Sequence, residues 1–104
     1  MNYILLTEKA KKAQKVILES NCIDLNNPQT LSILNQLEFI IKYSEQLLDP
    51  KSQLKSGETF TYSIAASREF TSPNEIAIKE HLDQVSREMF SEDYKIIEKY
   101  RRSN

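Results

Sequence analysis

The sequence predicts an all-α protein, a small irregular bundle of four to five helices. Three observations carry that expectation. Glycine occurs once and proline three times, too little glycine for the φ > 0 turns that all-β folds consume at each hairpin. Apolar residues recur at steps of three and four over long segments, the spacing of one helix face. Two of the prolines follow Asn27 and Ser72, good helix starts because proline at the first helical position gives up a donor that would be unpaired anyway. The 104 residues make a single domain, 1–104, whose core buries roughly two-thirds of the unfolded surface.

The first helix is expected over 7–20, with Thr7 as its cap and Glu8 in its first turn. Leu6, Ala10, Ala13 and Ile17 run down one face, the narrow stripe of a surface helix. The polar turn 20–28 ends it. A second helix, 28–49, starts at Asn27-Pro28 and carries Leu34, Leu37, Ile41 and Leu48 on one stripe and Ile33, Ile40 and Leu47 on its neighbour. So broad an apolar face belongs to a central helix touching several others. Asp49-Pro50 closes it, because the residue before proline is pushed out of helical geometry.

Proline, serine and glycine cluster over 49–58, which reads as a loop. The stretch 59-TFTYSIAASREF-70 then reads two ways. Phe60, Tyr62 and Ile64 alternate with Thr59, Thr61 and Ser63, the pattern of a half-buried strand. A strand needs a partner, and only 3-YILL-6 has comparable content, so this alternative is an α+β fold with one short two-stranded element. The helical reading, which we adopt, uses Ser56 or a neighbour as cap, Glu58 in the first turn, and Ala65 and Ala66 as good helix formers.

Ser72, Pro73 and Glu75 form the signature of a capping box, and Ile78, Leu82, Val85 and Met89 follow at steps of four, three and four. A last segment, 92–102, turns Ile96, Ile97 and Tyr100 inward, either as a separate helix capped by Ser91 or as a continuation of the one before. Leu37, Ile41, Leu82 and Val85 are the expected centre of the core.

Chemistry is sparsely signalled. The only histidine, His81, has apolar neighbours or Gln84 at helical spacing, so no nucleophile or orienting carboxylate is supplied locally. One histidine and one cysteine without CxxC or HxxxH spacing do not assemble a closed zinc site. Cys22 follows a helix instead of opening one, where a thiolate would be stabilised. A single glycine forbids the multi-glycine phosphate cradles. The pairs Glu45/Asp49 and Glu88/Glu92 lie among basic residues, and Glu8–Lys12, Glu38–Lys42, Glu75–Lys79 and Asp83–Arg87 have the order of solvated i,i+4 pairs. No catalytic residue, cofactor or metal is expected.

Charge is high at 28% yet nearly balanced, with a net value of −1. That excludes a polycationic nucleic-acid coat and an acidic disordered tail. No signal peptide or membrane span is evident, since the run Tyr3–Leu6 is too short, and the expected location is cytoplasmic. The segment 69-EFTSPNEIAIKEHL-82 resembles the Phe-Thr start of the last long helix of class IIa bacteriocin immunity proteins, antiparallel four-helix bundles of similar length. The resemblance covers those residues alone and implies a non-enzymatic inhibitor of another protein.

The expected function is therefore non-enzymatic binding of another protein, as an adaptor, inhibitor or immunity-type factor. Phe60, Tyr62 and Phe70 are the expected contact residues, because aromatic side chains in a segment of poor helix preference beside a loop suit an interface. The bland reading of that segment is a loosely packed connector. The alternative function is a small nucleic-acid-associated regulator in which Lys11, Lys12, Arg101 and Arg102 contact phosphates, if the two ends of the chain pack side by side. Self-association is compatible with either.

Overall fold

A computed structural model describes residues 1–91 of the chain. Among them are four α-helices, α1 (Tyr3–Glu19), α2 (Pro28–Ser44), α3 (Tyr62–Glu69) and α4 (Pro73–Met89), with a short 3₁₀ turn at Pro50–Gln53. No strand occurs among the described residues. The expected segment 92–102, with Ile96, Ile97 and Tyr100, lies outside them.

Both halves of the strand alternative are overturned. Residues 3–6 form the first turn of α1, which begins four residues before the expected start because Asn2, not Thr7, is the cap: its side chain accepts from the Leu5 N–H. Thr7 lies inside the helix, where its hydroxyl donates to the Tyr3 carbonyl at 2.8 Å and shares a 2.7 Å hydrogen bond with the Ser44 hydroxyl of α2. In the second half, helix begins at Tyr62, with that ring 1% exposed and Ile64 57% exposed. The alternation in sequence thus does not survive as a face.

The remaining stripes fold as their spacing dictates. Leu6, Ala10, Ala13 and Ile17 of α1 are fully buried, and so are Leu82, Val85 and Met89 of α4, with Ile78 close behind. Ile33, Leu37, Ile40 and Ile41 of α2 join them, while Leu34 packs at the margin. The capping box at Ser72 and Glu75 is present in both directions, and Asn27 caps α2 by accepting from the Gln29 N–H.

Side-chain pairs set the topology. Thr7 meets Ser44, Lys11 meets Glu45 and Gln14 meets Glu38, so α1 and α2 are antiparallel. Helix α1 also packs against α4, and α3 packs against α2 and α4. The four helices close a ring around one core, with α1 opposite α3. Alanines at positions 10 and 13 let α1 approach its neighbours closely, which is how a stripe of small residues ends fully buried.

Helix α2 ends earlier than the sequence predicts. Its apolar pattern continues through Leu47 and Leu48, yet these are 64% and 39% exposed. The chain instead leaves the helix through a left-handed residue, Leu47 at φ 61°. The Leu48 N–H donates to the Tyr43 carbonyl and the Leu47 N–H to the Ser44 carbonyl, both at 3.0 Å, the pairing of a Schellman motif whose left-handed position is usually glycine. Leucine there is strained by its Cβ. Leu47→Gly is expected to raise stability by about 0.5 to 1 kcal/mol, relief of the left-handed penalty less the entropy glycine adds to the unfolded chain. Chemical denaturation measures this, and a loss of stability would mean that the exposed leucine makes a contact worth more than its strain.

Candidate functional site

An open groove of about 610 Å³ lies between α2 and the segment leading into α3. Its floor is the outward face of α2, where Leu31, Ser32, Asn35, Gln36 and Phe39 recur at helical spacing, and its wall is Leu54 with residues 58–61. Two local features build that wall. Asp49 caps the 3₁₀ turn by accepting from the Lys51 N–H. Lys55 to Glu58 then make a turn closed by the Glu58 N–H on the Lys55 carbonyl at 3.0 Å, with Gly57 at φ 85° where an L side chain would be strained. The Glu58 carboxylate accepts from the Lys55 N–H at 2.9 Å, so the expected first-turn acid of α3 belongs to the turn before it.

The expected cap at Ser56 is likewise replaced. Thr61 stands at the N-cap but makes no side-chain cap bond. The Gln36 carboxamide oxygen on α2 instead accepts from the Thr61 and Tyr62 N–H groups at 2.8 and 3.0 Å, and its nitrogen donates to the Thr61 hydroxyl at 3.0 Å. One side chain from the groove floor thus holds the groove wall and the start of α3.

Aromatic rings continue from the groove into the core. Tyr43, Phe39, Phe60 and Tyr62 follow one another at centroid separations of 4.8, 5.9 and 6.1 Å with interplanar angles of 61° to 66°, the edge-to-face arrangement aromatic pairs favour. This corrects the expected contact set. Phe60 is half-buried on the groove, but Tyr62 and Phe70 are 1% and 3% exposed and belong to the core. Tyr62 points inward because its hydroxyl reaches Ser86 of α4 at 2.8 Å, a polar tip satisfied behind an apolar ring. Leu31, Phe39 and Gln36 went unnoticed in the sequence because α2 was read by its buried stripe. The available signal was its opposite face, which runs from Pro28 to Phe39 without a charge.

Two of the α1 lysines are held in ion pairs to other elements. Lys11 pairs with Glu45 at 3.0 Å and Lys9 with Glu88 at 3.6 Å. Lys12 lines a smaller hollow of about 240 Å³ between α1 and α4 with His81, Glu8 and Gln84. Arg101 and Arg102 lie outside the described residues. Ion pairs form between elements because the packed helices bring these partners together, as with Lys11, whose Glu45 partner closes α2.

The carboxylates singled out by spacing serve the fold. Glu88 accepts from the Asn2 N–H at 2.9 Å while holding Lys9, and Glu45 holds Lys11. Cys22 is exposed, with its sulfur 3.0 Å from the Ser20 hydroxyl. Among the described residues no three His, Cys, Asp or Glu side chains converge as a metal site would require, and no helix is long and apolar enough to cross a membrane. No protein-family model, curated protein or solved structure matches this chain.

Proposed function

We infer that the protein binds another protein without catalysis, as an adaptor, inhibitor or immunity-type factor, and that the groove between α2 and residues 54–61 is where it does so. The observation that carries this reading is the uncharged floor: in a chain that is 28% charged, Glu58 is the only charged side chain lining the groove among the described residues. Leu31 stands 46% exposed on that floor beside the Phe39–Phe60 pair. Depletion of charge around aromatic and aliphatic side chains characterises the centre of a protein interface, and a concave site with anchoring rings is where binding energy concentrates. The groove is open to solvent, which suits a protein segment better than an enclosed small molecule.

The test starts with partners captured from the native host and continues with titration against variants. Leu31→Glu is expected to weaken binding at least tenfold without altering the melting temperature, since it puts a charge on an exposed position of the floor. Phe60→Ala is expected to weaken it by about 1 to 4 kcal/mol, the range of an anchor residue. Leu18→Glu, on α1 at 52% exposure, is the control and should bind as the wild type does. Equal affinity for all three variants would reject the groove as the binding surface.

A further inference from the structure

We propose that α3 and residues 58–61 of the groove wall open from the bundle as one unit, latched by the Gln36 carboxamide. The other three helices are capped by the residue that precedes them, Asn2, Asn27 and Ser72. Helix α3 is capped from another helix, because Gln36 accepts both the Thr61 and the Tyr62 N–H and donates to the Thr61 and Ser32 hydroxyls. A helix that leaves its cap behind when it moves loses the closure of its own first turn, so detachment and unwinding go together. Eight residues are too few to stay helical alone, and within α3 only Tyr62 and Ala66 are buried. Opening therefore costs less than unfolding the α1–α2–α4 body, the condition for a locally unfolding unit.

Ser86 of α4 supplies a further polar tie, sharing hydrogen bonds with the hydroxyls of Tyr62 and Ser63, groups that water satisfies when the helix departs. The chain can swing at two exposed places, the Gly57 turn just before residues 58–61 and Thr71 after α3. Gln36 also lines the groove. An occupant that takes its carboxamide releases α3, and release of α3 changes the affinity for that occupant by the same factor. The latch itself stands whether or not a binding partner is found.

Hydrogen exchange of the full chain under native conditions, read by mass spectrometry, tests it without any ligand. The amides of residues 65–70 should exchange faster than those of residues 10–17 in the wild type. Gln36→Ala removes three hydrogen bonds to Thr61 and Tyr62 and should speed the former about tenfold or more while changing the latter much less. Gln36→Glu keeps the acceptor and adds negative charge at a helix N-terminus, so it should keep α3 slow. Three results would overturn the proposal: equal protection of the two segments in the wild type, uniform acceleration of every helix by Gln36→Ala, or loss of α3 protection in Gln36→Glu equal to that in Gln36→Ala.

Discussion

Tyr62→Ala is expected to destabilise the protein by about 3 to 5 kcal/mol, the cost of emptying a fully buried aromatic site. The ring is 1% exposed, stacks edge-on against Phe60 at 6.1 Å and ends in a hydrogen bond to Ser86. Truncation leaves a cavity bounded by α3 and α4, elements that cannot both move inward without breaking their other contacts. Tyr62→Phe separates the two contributions. It keeps the ring and removes only the hydroxyl, and because Ser86 retains its 3.0 Å bond to Ser63 the loss should stay near 1 kcal/mol. Urea denaturation of both variants decides the matter: a Tyr62→Ala protein within 1 kcal/mol of wild type would place this side chain at the surface.

Leu82→Ala should cost about 2 to 5 kcal/mol. Leu82 is completely buried at the middle of α4, where the stripe from Ile78 to Met89 meets α1 and α3. Both neighbours are held by side-chain ties, α1 by Glu88 through Asn2 and Lys9 and α3 by Ser86, so relaxation into the cavity is restricted and the loss should fall well above the lower bound. A melting temperature equal to wild type would mean that α4 turns a different face to the core.

The contrast between α4 and α3 explains what could be read in advance. In α4 every local signal agrees: the cap, the proline, the Glu75 of the capping box and an apolar residue at each inward position. Its start and buried face were therefore legible. In α3 the local signals conflict, and the decision came from residues 25 positions away, where Gln36 supplies the cap that Thr61 does not. The Tyr62 orientation was likewise decided by Ser86, 24 residues downstream.

Within the candidate site the same division holds. The loop 49–58 and Phe60 were marked by composition, since proline, serines, glycine and an aromatic residue in a segment of weak propensity stand out along the chain. The floor was not, because Leu31, Asn35 and Phe39 become a surface only when the opposite face of α2 is turned to the core and the returning chain forms a wall beside it.

The sequence by itself determined that this chain is helical, where α4 starts, and which stripes of α1, α2 and α4 are buried, because helical period and end chemistry act over a few residues and need no partner. Only the tertiary structure decided that α2 stops before Leu47, that Tyr62 and Phe70 are core and that a groove exists, because each depends on a contact between distant segments. The free energy of such a contact depends on which segments meet, and no single stretch of sequence specifies that.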